Sequence, residues 1–295
     1  DIVPYPVRHL KSKDVDRSLE KRRNDKLTVE EFEKVVQAFS QDVRLQAFLT
    51  LSFESLGRPQ EILFTKIKDV ELSDNYGKIW ISEHGKEGTG FLEVIDSYPY
   101  VAEWLNDHPL KNNPEAFFFL NLGSHGRYEQ LKPHTINKHL RNKLKALRIN
   151  KPVTCYSLKR SGVTYRRLRG DSDLQIQHTA RWTSTKQLKS YDLSQHDDTF
   201  KLELIKRGII QEKASKNLKI LSNKCMFCET VNGIGISNCK TCKRPLDRKK
   251  IADEIQQKDS RIDELEQQIT NMPGQILKLL KENPLLIKEA LKIEN

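Results

Sequence analysis

The chain has 295 residues, enough for one large domain with small appendages. Its formal net charge of +11 points to a polyanionic partner, nucleic acid first and an anionic membrane surface second. No run approaches about 18 apolar residues, so no membrane-spanning helix is expected, and the charged start "DIVPYPVRHLKSKDVDRSLEKRR" does not look like a signal peptide. The five cysteines are Cys155 alone and two Cys-x-x-Cys pairs. That arrangement suggests a metal site in a reducing cytoplasm, not a secreted disulfide framework.

Residues 1–26 are mostly charged and lack a period, as expected for a linker or the remnant of a missing domain. The chain begins with Asp, so a fragment is expected. "LTVEEFEKVVQAF" predicts a helix with Thr28 as N-cap and Glu31 completing a capping box. "VRLQAFLTLSFESLG" predicts a second, apolar helix ending near Gly57, and "RPQEILFTKIKDVEL" a third with Pro59 in its first turn. "GKIWIS" and "GFLEVI" alternate around a Gly-rich turn and predict a β-hairpin. "YPYVAEWLNDH" returns to helix, and "AFFFLNL" suits a short buried strand or edge segment. "KPHTINKHLRNKLKALRI" predicts a basic amphipathic helix, "YSLKRSGVTYRR" another, and "DSDLQIQHTARWTSTKQLKSYDLSQ" two short ones. Helices, a hairpin and more helices make a mixed α+β chain, not an alternating βαβ one. A Cys-rich knuckle follows at 222–246, then a charged helix at 247–272 and an amphipathic one at 274–292.

Four elements in fixed order carry a specific signal. They are "SLGRPQEIL" with Arg58 and Glu61, Lys86 at the hairpin tip, "YSLKRSGVT", and "RWTSTKQLKSYDLS", in which Trp182 and Tyr191 lie nine residues apart. Here the chain resembles the tyrosine recombinases, the phage-integrase family. That family's pattern runs "G-L-R-x-x-E-L", a hairpin Lys, "H-x-L-R-H", then "G-H/W" with the nucleophilic Tyr nine residues beyond. The resemblance covers about residues 27–200, and the expected catalytic domain is 27–212. It is a mostly helical fold with a small β-hairpin sheet. The usual N-terminal helical DNA-clamping domain is expected to be absent or cut away. The tail, "CMFC…CKTC…RPL" before a charged helix, looks most like archaeal members.

The resemblance implies a chemistry that these residue types suit. Phosphoryl transfer on DNA passes through a highly anionic transition state, and catalysis is mostly positioning and charge stabilisation. Arg58 can grip a phosphate with two parallel hydrogen bonds, and Glu61 can hold Arg58. Tyr191 would attack as nucleophile and form a 3′-phosphotyrosyl link, which stores the phosphodiester energy without ATP or a catalytic metal. Lys86 would protonate the departing 5′ oxygen, although Lys78 is also near the hairpin. Trp182 would pack against the site and donate its indole N–H.

Two positions depart from the family. Aligning Leu158 with the motif's Leu puts Tyr156 where His stands and Lys159 where Arg stands. Lys keeps the charge but loses the bidentate fork, and Tyr cannot shuttle a proton near neutral pH as His can. Arg160 cannot substitute, since successive helical residues point about 100° apart. Two readings stay open: a slow, tolerant enzyme, or a DNA-binding regulatory protein that no longer cuts. Retention of Tyr191, Arg58 and a hairpin Lys favours the enzyme. A type IB topoisomerase-like activity is a third reading.

Cys225, Cys228, Cys239 and Cys242 have the spacing C-x2-C-x10-C-x2-C, expected to close a structural, four-thiolate zinc site. The helix after it places Ile255, Lys258, Ile262, Leu265, Ile269 and Met272 at alternating steps of three and four. That is a heptad seam, so residues 247–295 are expected to be a helical tail able to form a coiled coil. The expected partners are double-stranded DNA and further copies of this chain, as a dimer or tetramer on DNA, with no membrane.

Overall fold

The computed structural model describes residues 24–81, 89–210 and 222–282. They fall into two units, one ending at Ile236 and the other beginning at Ser237. The boundary falls inside the 222–246 stretch that the sequence suggests as one module.

Helix α1 (Val29–Ala38) begins where local chemistry places it: Thr28 Oγ1 accepts the Glu31 N–H at 3.2 Å, and Glu31 returns to the Thr28 N–H at 2.9 Å. Helix α2 (Val43–Ser55) is the centre of the first unit. It is buried almost all round, as a helix apolar on every side must be. Leu56 ends it in the left-handed conformation at φ 54°. Around α2 pack Phe32 and Val36 of α1, Val101 and Trp104 of α4 (Tyr98–Asp107), Ile136 and Leu140 of α5 (Pro133–Ala146), and Leu158 of α6 (Cys155–Arg169). Gly162 lets α6 approach α2 closely, because a Cβ there would collide with the Phe53 carbonyl.

The predicted third helix is shorter than its sequence suggests. α3 spans only Pro59–Leu63; a 3-10 turn follows at Ile67–Asp69, and Val70–Leu72 becomes strand β1. The reason is non-local: Val70, Glu71 and Leu72 pair antiparallel with Ile79, Lys78 and Gly77 of β2 (Gly77–Ile81). β2 in turn pairs antiparallel with β3 (Gly90–Val94), giving a three-stranded sheet in the order β1-β2-β3. The "AFFFLNL" stretch is a buried edge segment, with bridges at Phe117 and Leu120 and no regular strand.

Charged side chains tie the sheet to the helices. Glu54 of α2 accepts the backbone N–H groups of Ile95, Asp96 and Ser97 at the start of α4. Burial, then the charge of Asp96, pushes its carboxyl up to about 7. Arg166 of α6 donates to the Glu54 carbonyl and to the Glu93 carboxylate of β3.

The end of the predicted 1–26 linker is an ordered strap. Asp25 accepts from Ser157 and Arg160 of α6, and the Leu27 N–H donates to Ser161. Lys26 Nζ reaches the Leu193 carbonyl and Asp198, beyond α8 (Leu188–Tyr191) and at the start of α9 (His196–Lys206).

At the end of the first unit, β4 (Asn223–Lys224) pairs with β5 (Val231–Asn232). Ser222 donates to Asp96 at 2.6 Å, and the Ile234 N–H donates to the Tyr100 hydroxyl at 2.6 Å, so this stretch is fastened to α4. In the second unit, α10 (Arg248–Glu282) is one helix, not two. It passes through Pro273, whose ring cannot donate to the preceding turn and clashes with the carbonyl four residues back; such a residue would ordinarily kink or end a helix. Ile276 and Leu279 extend the heptad seam past it, and both are exposed. No helix among the described residues is long and apolar enough to cross a membrane.

Candidate active site

Arg58 is the N-cap of α3, with Pro59 pre-set for the first turn. Glu61 folds back over that turn. Its Oε2 accepts the Arg58 backbone N–H at 3.0 Å, and its Oε1 stands 3.6 Å from Arg58 Nη1. A second guanidinium shares this carboxylate, with Arg181 Nη2 donating to Glu61 Oε2 at 2.8 Å. The side chains of Glu61 and Arg181 are only 4% and 8% exposed. A carboxylate so deep costs several kcal/mol in lost hydration unless cations meet it.

Arg181 follows α7 (Asp173–Thr179), which opens on Ser172 with Gln175 completing its capping box. Its backbone is left-handed, at φ 56°. The Arg181 turn hands the chain to Trp182, which is buried with Leu56, Val163, Ile176, Ala180 and Leu188. Tyr191, the last residue of α8, packs on this cluster, its ring centroid 5.2 Å from that of Trp182.

Lys159 enters the same neighbourhood from α6. It is 2% exposed, and its Nζ lies 5.3 Å from the ring centroids of both Trp182 and Tyr191. Such cation–π contacts stabilise by about 2 kcal/mol each when water is excluded. The neighbouring Arg160 points elsewhere, to Asp25 at 2.7 Å, as helical geometry requires. Tyr156 lies on the first turn of α6 and is 42% exposed. Burial, then the Cys155 thiol, pushes its phenol above the ordinary value, away from neutral-pH proton transfer. Lys86 lies outside the described residues. Lys78 stands on the exposed side of β2, 4.7 Å over the Phe91 ring.

The structure thus joins Arg58 to Glu61, Glu61 to Arg181, and Lys159 to Trp182 and Tyr191. Two groups are seen: two guanidinium groups on one buried carboxylate, and a buried lysine against the rings of a tryptophan and a tyrosine. Arg181 was not singled out by the sequence reasoning. Its signal was an Arg standing where the family pattern has Gly before the Trp.

The cysteines form a second centre. In the first pair, the Cys225 N–H donates to the Thr230 carbonyl and the Glu229 N–H to the Cys225 carbonyl, with Glu229 at φ 59°. The second pair repeats this turn: the Cys239 N–H donates to Arg244, the Lys243 N–H to Cys239, and Lys243 has φ 63°. The Phe227 N–H also points at Cys225 Sγ, at 3.5 Å. The sulfurs of Cys225, Cys228, Cys239 and Cys242 all lie within 4.8 Å of one another, so the four could hold a metal ion. Tetrahedral zinc with bonds of about 2.3 Å sets sulfurs about 3.8 Å apart, so the donor set fits that ion.

The phage integrase family model matches residues 25–198, and the chain belongs to that family. Among solved structures, the XerA recombinase is similar with a TM-score of 0.53 at 18% identity, over 71% of this chain and 70% of that one. The XerH site-specific recombinase, in a post-cleavage complex with its palindromic difH substrate, has a TM-score of 0.51 at 18% identity, over 62% of this chain and 53% of that one. At that identity the likeness speaks for the fold, a tyrosine-recombinase catalytic domain. No curated protein sequence matches significantly.

Proposed function

We propose that this protein is a site-specific DNA recombinase or integrase that cleaves and rejoins double-stranded DNA through a 3′-phosphotyrosyl intermediate. The observation that carries this reading is the packing of Tyr191 and Trp182 against a buried Lys159, with the Arg58–Glu61 pair in the same chain. Tyr191 Oη forms the new bond to phosphorus, and the bond from phosphorus to the 5′ oxygen breaks. The phenol's proton passes to water, and the departing oxygen gains one from Lys86 as general acid. Arg58 and Lys159 stabilise the charge on the non-bridging oxygens, and the buried Trp182 indole N–H donates to one of them. A 5′ hydroxyl attacking the phosphotyrosine reverses the step and rejoins the strand.

Exposed Lys138, Arg141, Lys145 and Arg148 on and just after α5 supply a basic surface for the DNA backbone. The Ile255, Ile262, Ile269 and Ile276 seam of α10 is exposed and repeats every seven residues, which suits pairing with a second copy of this chain. The four cysteines hold a structural zinc ion, which would cross-link two short turns that have little core of their own.

A suicide DNA substrate, from which the freed 5′ end diffuses away, should accumulate a covalent protein–DNA species on a denaturing gel. DNA binding without that species would favour the second reading, a regulatory protein that no longer cuts; the exposed Tyr156 and the Lys at position 159 are what keep that reading open.

Lys159 divides the two readings quantitatively. A charge-assisted hydrogen bond contributes roughly 1.5–3 kcal/mol, so Lys159→Ala should slow single-turnover cleavage by about tenfold or more. Lys159→Arg should keep or raise the rate, because a guanidinium spans two phosphate oxygens. Equal rates for wild type and the Ala variant, at equal DNA occupancy, would remove Lys159 from the phosphate's surroundings.

A further inference from the structure

We propose that α10 pairs with α10 of a second copy as a parallel, in-register, two-stranded coiled coil, so that the protein is a dimer before it meets DNA. This rests on the reading of the α10 seam as a face for a second copy, and not on the cleavage chemistry. The first observation is an uncovered apolar stripe. Every described side chain from Ile255 to Lys278 is exposed, and Ile255, Ile262, Ile269 and Ile276 fall on one side of the helix with Leu265 and Met272. From Ile255 to Ile276 the stripe is about 30 Å long. A lone helix draws little stability from propensity, and Pro273 removes a hydrogen bond from this one, so packing along the stripe supplies what the helix lacks. Ahead of α10 the second unit has only Pro245 and Leu246 as apolar side chains besides its two cysteines, too few to cover it.

The composition of the stripe selects the partner and its direction. The four isoleucines hold the a positions of the heptad, and Lys258, Leu265 and Met272 hold d. Isoleucine at a with leucine at d favours two parallel strands. Pro273 falls at e, beside the seam and outside its layers. The flanking charges agree. In a parallel pair, g of one strand meets e of the next heptad on the other, which sets Arg261 against Glu266. Arg261 pairs with Glu264 of its own helix at 2.8 Å, but the two are 64% and 62% exposed, and so exposed a pair exchanges partners at little cost. An antiparallel pair of full overlap would set e against e, and Glu266 against its own copy. Lys258 is the exception in the seam, and its neighbour accounts for it. In a parallel pair e flanks d, so the long Lys258 stem lies along the seam while its ammonium meets Asp259 of the other copy. In-register alignment brings each layer to its own copy, whereas a slip of one heptad leaves an isoleucine layer unpaired at each end.

The test uses the full chain without DNA, so it reads the pairing whether or not the chain cleaves. Light scattering after gel filtration, at micromolar concentration, should give twice the chain mass. Ile262→Asp combined with Ile269→Asp should give the single mass, while the thermal transition of the α2-centred core stays where it was. Lys258→Leu should lower the concentration of half-dissociation by about tenfold or more, since an apolar d layer replaces a charged one. For direction, p-benzoylphenylalanine in place of Gln275 is photolysed in a mixture of isotope-labelled and unlabelled chains. A parallel pair cross-links it to residues 262–281 of the other copy, an antiparallel pair to residues 251–258. A wild type of single or fourfold mass, a doubly substituted chain that stays a dimer, an unchanged dissociation of Lys258→Leu, or a cross-link to residues 251–258 would overturn the proposal.

Discussion

Tyr191→Phe should abolish the covalent protein–DNA species altogether and leave DNA binding nearly unchanged. The substitution removes one oxygen and keeps the ring, so the contacts with Trp182 at 5.2 Å and Lys159 at 5.3 Å persist. Tyr191 is only partly buried, so losing its hydroxyl should cost little stability. Binding should persist because the cations proposed to meet the phosphate lie elsewhere: Arg58 at the N-cap of α3 and Lys159 on α6. The denaturing gel reads the first effect, and a mobility shift the second. A covalent species from the Phe variant would mean another nucleophile, with Tyr156, Tyr165 and Tyr128 the next to change. Tyr165 is buried and its phenol is raised by burial, so the exposed Tyr156 would come first.

Metal removal should have the other large effect. Freshly reduced protein should carry about one zinc ion per chain, and chelation should open residues 222–246 to protease before any other described region. Zinc binding to four thiolates in small domains contributes roughly 10–16 kcal/mol of apparent free energy, far more than two turns with few buried apolar side chains can replace. Apart from Ile234, which packs in the main core, the buried apolar side chains of this region are Cys225, Cys239 and Pro245. The α2-centred core is built without the metal and should keep its thermal transition. Elemental analysis finding no zinc would remove the site, whatever the protease pattern.

What the sequence disclosed follows the range of the forces involved. The start of α1 was legible because Thr28 and Glu31 satisfy each other within one turn. The placing of Lys159 toward Tyr191, and of Arg160 away from it, follows from the helical repeat alone once Leu158 is set in the core. β1 was not legible, because three residues too few to show a period gain their hydrogen bonds from β2. The two-helix reading of the tail overweighted Pro273, while the uninterrupted heptads on either side were the better guide. Arg181 was the largest omission. Its partner is 120 residues away, and the backbone angle that marks it has no local sequence signature beyond the residue expected there.

The strap at residues 25–27 gives the fold a mechanical property. Asp25 and Leu27 are anchored on α6, the helix that carries Lys159, and Lys26 is anchored on Leu193 and Asp198, just past Tyr191. Leu193 is itself tethered to α6 through Thr164. A pull on the chain ahead of Asp25 is therefore borne by α6 and by the segment just past Tyr191. Conversely, displacing the tyrosine's segment must strip the Lys26 anchor and slacken the strap. Load on one end of this domain and travel of the tyrosine are the two arms of a single lever, with α6 as its fulcrum.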